Sequence, residues 1–298
     1  MPRALLNGID TYYEVQGEGT PLLFIHGGYG GPFTSLIQLA ETAEMPGNFF
    51  ADRHRTITYD RRSAGRSEYI TTEYTNEDLV ADAAALLDHL DVDAAVVIGT
   101  SAGGPIAIQF ALNWPERVIA LGLPNTGAAL MSLAPYPEDD ERIAALNERL
   151  TLVRERIAPL ERGYIEGHRT VFESRKEILR APPTEETIAT QLRPQLWELT
   201  EALRTVSDDD LFMYSMGQLR NMGASFGINL TERLDELTMP VIIVHGNADE
   251  LVPFQFGLDL ASRIPHAEFH AIDDAGHGIT NHPEARQILR DWAQRMAD

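Results

Sequence analysis

The chain has 298 residues, with 24 Lys+Arg against 45 Asp+Glu, a formal charge of −21 at pH 7, 44% hydrophobic residues and no cysteine. A charge balance this acidic repels phosphate backbones and anionic lipid heads, which argues against nucleic-acid and membrane-surface partners. Without cysteine sulfur there are no disulfides, thiolate nucleophiles or cysteine-based metal centres.

In chain order, Asn7-Gly8 lies between two β-prone runs, Ala4–Leu6 and Thr11–Val15. Asn-Gly suits the two-residue turn whose central residues need positive φ, so an antiparallel hairpin is predicted. Six further apolar runs have strand length: Pro21–Ile25, Thr56–Tyr59, Ala94–Ile98, Val118–Leu123, Pro240–His245 and Ala267–Ile272. Several are apolar on both faces, as parallel strands between helix layers are. Between them, Glu77–Leu90, Ile106–Leu112 and Glu284–Met296 carry helical spacing, with Asn76 as a predicted N-cap and Pro283 at a helix start. Alternating strand and helix imply an α/β protein with a mostly parallel sheet covered on both faces.

The alternation stops after Leu123 and resumes near Met239. Within the gap, Ile143, Leu146, Leu150, Val153, Ile157 and Leu160 draw one apolar helical stripe. Further helices are predicted over Tyr164–Leu179, Glu185–Thr205 and Asp209–Arg220, and the acidic run Asp208–Asp210 is read as a solvated loop or a helix start. The expected organisation is a core over 1–127 and 236–298 interrupted by a helical lid over 128–235. No apolar run approaches the roughly 18 residues of a membrane helix, and Met1–Gly19 lacks the apolar centre of a secretory signal. A cytoplasmic protein is expected, and a homo-oligomer is compatible with this reading.

The strand Ala94–Ile98 runs into Gly99-Thr100-Ser101-Ala102-Gly103 and then a helix. A G-x-S-x-G turn at such a junction presents its serine in a sharp bend at the strand's C-terminal end, which makes Ser101 the candidate nucleophile. A second match, Gly223-Ala224-Ser225-Phe226-Gly227, follows a helix instead of a strand, so Ser225 is rejected. A serine hydroxyl needs a base, and that base an orienting acid. His277, in a small-residue loop after the last strand, and Asp249, after the penultimate one, supply them in the order Ser, Asp, His. The glycine loop His26-Gly27-Gly28-Tyr29-Gly30-Gly31 follows the strand Pro21–Ile25. There the Gly28 N–H is predicted to pair with that of Ala102 as an oxyanion hole, with Tyr29 the alternative donor. No metal or cofactor is called for.

With His26-Gly27-Gly28, Asp60-Arg61-Arg62-Ser63-Ala64-Gly65-Arg66-Ser67, Gly99–Gly103, Gly246–Asp249 and Gly276-His277, the chain resembles the α/β-hydrolase-fold serine hydrolases. The resemblance implies eight strands, the first pair antiparallel, with a helical lid after the sixth. Ser63 stands where the family's motif usually has glycine. The glycine loop is similar to that of proline iminopeptidases, and the chain resembles enol-lactonases and small methylesterases about as well.

The expected function is hydrolysis of a small-to-medium apolar carboxylic ester or lactone. Substrate contacts are expected from Tyr29, Trp197, Phe212, Met213, Met216 and Met222, with Tyr214 and Phe226 as further apolar candidates. Two alternatives stand beside it. One is an aminopeptidase acting on an aminoacyl amide, with Glu166 or Glu173 holding the substrate ammonium. The other is a ligand receptor on the same fold, with slow or no turnover.

Overall fold

The computed structural model describes residues 2–30, 47–131 and 204–297, with scattered positions between 148 and 184. Eight strands form one sheet: β1 (Arg3–Leu6), β2 (Ile9–Gln16), β3 (Pro21–Ile25), β4 (Arg55–Tyr59), β5 (Ala95–Gly99), β6 (Val118–Pro124), β7 (Val241–Gly246) and β8 (Glu268–Ile272). Their spatial order is β1-β2-β4-β3-β5-β6-β7-β8. β2 runs antiparallel to both neighbours, β1 and β4, and every other pairing is parallel. The first pair is therefore antiparallel as expected, and β2 is the strand that opposes the rest. Asn7 (φ 45°) and Gly8 (φ 81°) make the turn between them.

The two-sided strands divide their residues between two cores. Leu23, Ile25, Val97, Leu121, Leu123 and Ile243 pack on one face, with Leu79, Val80, Ile106, Phe110 and Leu260 from the helices. Leu22, Phe24, Val96, Ile98, Ile242 and Val244 pack on the other, with Phe50, Leu289 and Trp292. The period of two along each strand sends alternate residues to opposite helix layers, so nearly every position must be apolar.

The covering helices are α1 (Asn76–His89), α2 (Gly104–Asn113), α3 (Asp208–Ala224), α4 (Gln255–Arg263) and α5 (Pro283–Ala297). The predicted cap of α1 is corrected by one residue. Thr75 is the extended N-cap, its N–H and hydroxyl donating to Asp78 Oδ2 at 2.8 and 3.1 Å. Asn76 is already helical, and its side-chain amide donates to Gln109 Oε1. Helix α4 was not predicted; it buries Phe256, Gly257 and Leu260 against the core. None of the helices among the described residues is long and apolar enough to cross a membrane.

After β6 the chain leaves the sheet and returns beside its point of departure, where the Leu230 N–H donates to the Ala128 carbonyl at 3.0 Å. In between, the described positions Glu148, Thr151, Phe172, Lys176 and Arg180 are helical. The predicted stripe from Ile143 to Leu160, together with Trp197, lies outside the described residues. Helix α3 opens on the acidic run Asp208–Asp210, with Ser207 Oγ accepting from the Asp210 N–H at 3.1 Å. Acidic side chains suit a helix N-terminus, and Asp208 also pairs with Lys176 and Arg180 at 3.0 and 2.7 Å.

α3 is fastened to the loop after β4. Its Asn221 Nδ2 donates to the carbonyl oxygens of Arg62 and Ser63 at 3.0 and 3.4 Å, and Gly217 leaves room for the Ser63 carbonyl. Ser63 takes the left-handed conformation (φ 53°) that its usual glycine would adopt. Its hydroxyl accepts from the Ile70 N–H at 3.2 Å and so gives the serine a partner in that turn.

Candidate active site

Strand β5 ends against the backbone of the glycine loop, and the next residue but one, Ser101, has φ 48°. That left-handed turn between strand and helix is costly for a residue with a Cβ and holds the side chain at the sheet's C-terminal edge. Both flanking glycines are required by contact. A Cβ on Gly99 would lie 2.5 Å from Ala107 Cβ, and one on Gly103 would run into the carbonyl of Ile25. Thr126 Oγ1 donates to the Ser101 carbonyl at 2.7 Å and ties the bend to the end of β6.

Ser101 Oγ lies 3.0 Å from His277 Nε2, and His277 Nδ1 lies 2.8 Å from Asp249 Oδ2. Asp249 is buried, and its other oxygen accepts the N–H groups of Leu251 and Val252 at 2.9 and 3.0 Å. A carboxylate next to Nδ1 makes that nitrogen the N–H donor and leaves Nε2 free to take a proton from the serine. His277 is 28% exposed, so a substrate and water can reach it.

Asn125, at the end of β6 with φ 43°, holds the two loops in register. Its Nδ2 donates to the carbonyls of Gly276 and His277 at 3.1 and 2.7 Å, and its Oδ1 accepts the Gly246 N–H at 3.0 Å. His245, fully buried, lies 3.6 Å from Asp249 Oδ2. Burial lowers its pKa and keeps the ring neutral, so it adds no second cation beside the acid. Its Nε2–H donates to the Val252 carbonyl at 2.9 Å, on the same turn that holds Asp249.

The glycine loop comes close to the elbow, where a Cβ on Gly27 would stand 3.0 Å from Ser101 Cβ. Gly28 has φ 70°. Among the described residues, no backbone carbonyl accepts the N–H of Gly28, and none outside its own short helix accepts that of Ala102. His26 is buried and its pKa is driven well below the usual value, by burial first and then by Arg61. The neutral ring donates from Nδ1 to the Gly27 carbonyl at 2.8 Å. Four side chains, Ser101, His277, Asp249 and Asn125, therefore converge at the C-terminal ends of β5, β6, β7 and β8, beside the glycine loop that follows β3.

The other expected site residues are more scattered. Phe212 and Met216 are buried, Phe212 edge-on to Phe172 with centroids 5.6 Å apart, while Met213 and Met222 are half-buried on the same helix. Tyr214 is packed on Gly30 and its hydroxyl accepts from Gln218 at 3.0 Å. Phe226 lines a pocket of about 430 Å³ with Tyr74, Gln109 and Leu230, and no member of the Ser101 cluster borders it. Glu250 is exposed beyond Asp249.

Ser225 sits at the C-terminal end of α3, and its hydroxyl donates to the Asn221 carbonyl at 3.0 Å. It also interacts with the Tyr29 phenol, which burial pushes up to about 12. Ser225→Ala is expected to cost about 1 kcal/mol of stability through the lost hydrogen bond. Turnover is expected to stay at the wild-type level, and steady-state assay with thermal unfolding checks both. Among the described residues, no three His, Asp or Glu side chains converge to hold a metal ion.

A family model for the alpha/beta hydrolase family matches residues 22–286. RutD of Azorhizobium caulinodans, named as a carbamate hydrolase, is 27% identical over 288 residues, covering 94% of this chain and 92% of that protein. Proline iminopeptidase of Arabidopsis thaliana is 27% identical over 285 residues, covering 89% of this chain and 71% of that one. Among solved structures, an esterase from Thermogutta terrifontis aligns with a TM-score of 0.69 at 24% identity over the whole of both chains, a likeness of fold.

Proposed function

The chain belongs to the alpha/beta hydrolase family, and from that premise we propose that it is a serine hydrolase cleaving a small-to-medium apolar carboxylic ester or lactone through an acyl-enzyme. The observation that carries this reading is the chain of contacts from Ser101 through His277 to the buried Asp249, at 3.0 and 2.8 Å. Ser101 Oγ attacks the carbonyl carbon while its proton passes to His277 Nε2. The displaced electron pair gathers on the carbonyl oxygen, where the N–H groups of Gly28 and Ala102 receive it. Collapse of the tetrahedral intermediate expels the alcohol, protonated by His277. Water, deprotonated by the same imidazole, then attacks the acyl-enzyme and releases the acid.

In this proposal residues 128–235 act as a lid that chooses the substrate, and the core performs the reaction. Tyr29, next to Gly28 and against Ser225, is the substrate-contact candidate on the glycine loop. An aminopeptidase has support from the proline iminopeptidase relative. Of its two candidate carboxylates, Glu166 lies outside the described residues. Glu173 is 57% exposed and already paired with Lys176 at 2.7 Å, which counts against it as a holder of a substrate ammonium.

A panel of p-nitrophenyl esters, lactones and aminoacyl arylamides tests the proposal. Short-chain esters and lactones are expected to turn over faster than proline p-nitroanilide. Preference for the anilide would transfer the assignment to the aminopeptidase, and a single slow turnover of every ester would transfer it to a receptor.

A further inference from the structure

Three arginines crowd the turn after β4, and two of them have carboxylate partners. Arg62 Nε donates to Asp82 Oδ2 at 2.6 Å, and Arg66 meets Asp60 at 2.8 Å and Glu14 at 3.3 Å. Arg61, between them in sequence, is fully buried and has none among the described residues. Its Nη2 donates to the Gly28 carbonyl, while Nε and Nη1 have no hydrogen-bond partner.

Among the described residues, the ionisable groups acting on this guanidinium are three phenols and the neutral ring of His26. Burial pushes Tyr29 up to about 12 and Tyr59 and Tyr74 higher still, so all three stay neutral near pH 7 and none offsets the positive charge. A guanidinium does not deprotonate in a protein even where burial lowers its pKa, as it does here. A buried charge without a counter-ion is among the most destabilising features a fold can carry. Such features persist where they serve a function.

The position of the charge indicates the function. Gly28 is flanked by two peptide planes, and both are held. His26 Nδ1 fixes the Gly27 carbonyl at 2.8 Å, which orients the Gly28 N–H, and Arg61 fixes the Gly28 carbonyl on the other side. The Arg61 backbone N–H also reaches His26 Nε2 at 3.5 Å, so one residue supports both restraints. The guanidinium thus stands one residue behind the N–H assigned to the oxyanion, in a dry site where charge acts over a longer range than in water.

We propose that Arg61 is a positioning residue for the oxyanion hole, pinning Gly28 in its left-handed conformation and holding behind it a positive charge, without a carboxylate partner among the described residues, whose counter-charge is the tetrahedral oxyanion formed during turnover. This rests on the acyl-transfer reading above. Among the described residues the charge has no carboxylate partner, and it acquires a nearby negative charge as the carbonyl oxygen takes up electrons. It therefore favours the transition state over the bound ester, and its loss falls on kcat instead of KM.

Arg61→Met and Arg61→Lys, assayed on a short p-nitrophenyl ester with thermal unfolding of both variants, test this. Arg61→Met removes the charge at similar volume. It is expected to lower kcat by about 10- to 100-fold with KM nearly unchanged, less than the roughly 100- to 1,000-fold of losing an oxyanion donor outright, since the Gly28 N–H itself remains. Its unfolding temperature is expected to equal or exceed that of the wild type, since an unpaired buried cation has been removed. Arg61→Lys keeps a donor for Gly28 but, buried without a carboxylate partner, gives up its proton near pH 7, so it is expected to recover only the part of kcat that comes from pinning Gly28.

A purely structural arginine would give the opposite pattern. A lower unfolding temperature or failure to fold in Arg61→Met would overturn the proposal, as would unchanged kcat in that variant, a loss confined to KM, or a lysine variant as slow as the methionine one. Ser101→Ala separates the two readings. If it retains wild-type turnover, the acyl-transfer reading falls; if it is inert while Arg61→Met is as fast as wild type, only the present inference falls.

Discussion

Ser101→Ala is expected to lower ester turnover by about 10⁶-fold, to a rate near that of the binding site alone. The oxygen removed is the one 3.0 Å from His277 Nε2, and nothing else on the described turn supplies a hydroxyl to that nitrogen. The fold should not change. The strained φ of 48° is carried by alanine as by serine, and the Ser101 carbonyl keeps its bond from Thr126. Steady-state assay alongside thermal unfolding checks the expectation. Retention of more than about 1% of wild-type turnover in a folded variant would exclude the serine as nucleophile.

Asp249→Asn is expected to lower kcat by about 10⁴-fold in a protein that still folds. The reason lies in how the two carboxylate oxygens are used. Oδ1 accepts two backbone N–H groups, from Leu251 and Val252, so an asparagine must leave its carbonyl oxygen there. Its amide then faces His277 Nδ1 and donates to it, which moves the ring proton to Nε2. An imidazole protonated at Nε2 cannot accept the Ser101 proton. Near-normal turnover in Asp249→Asn would show that another group orients the histidine, and His245, 3.6 Å from Asp249 Oδ2, would be the first to examine.

Much of the fold could be read from the chain because the sheet's parallel strands are buried on two sides and stand out as short, wholly apolar runs between turn residues. β3 was delimited to the residue, as Pro21–Ile25. The elbow was legible because Gly99 and Gly103 are demanded by backbone contacts that tolerate no Cβ. Helix α4 was missed because it is nine residues long, and its start at Phe254 carries no side-chain cap. The cap of α1 was misplaced because Thr75 and Asn76 both suit the role. Asp78, three residues after Thr75, was the deciding signal for a capping box.

Asn125 and Thr126 were harder to recognise. Their value depends on loops far along the chain, at Gly246 and Gly276–His277 for one and at Ser101 for the other. Arg61 and Arg62 are adjacent and identical as letters. Only the packed structure shows that one faces Asp82 and the other faces none among the described residues.

The single hydrogen bond between Leu230 and Ala128 has an evolutionary consequence. Because the excursion between β6 and β7 leaves and rejoins the core beside one hydrogen bond while its own helix α3 stays bonded to the loop after β4, the part of it ahead of α3 is the stretch that can change length without shifting the Leu121–Val241 register. Chimeras joined at Ala128 and just ahead of Asp208 would keep α3 and its bonds to Arg62 and Ser63 in place.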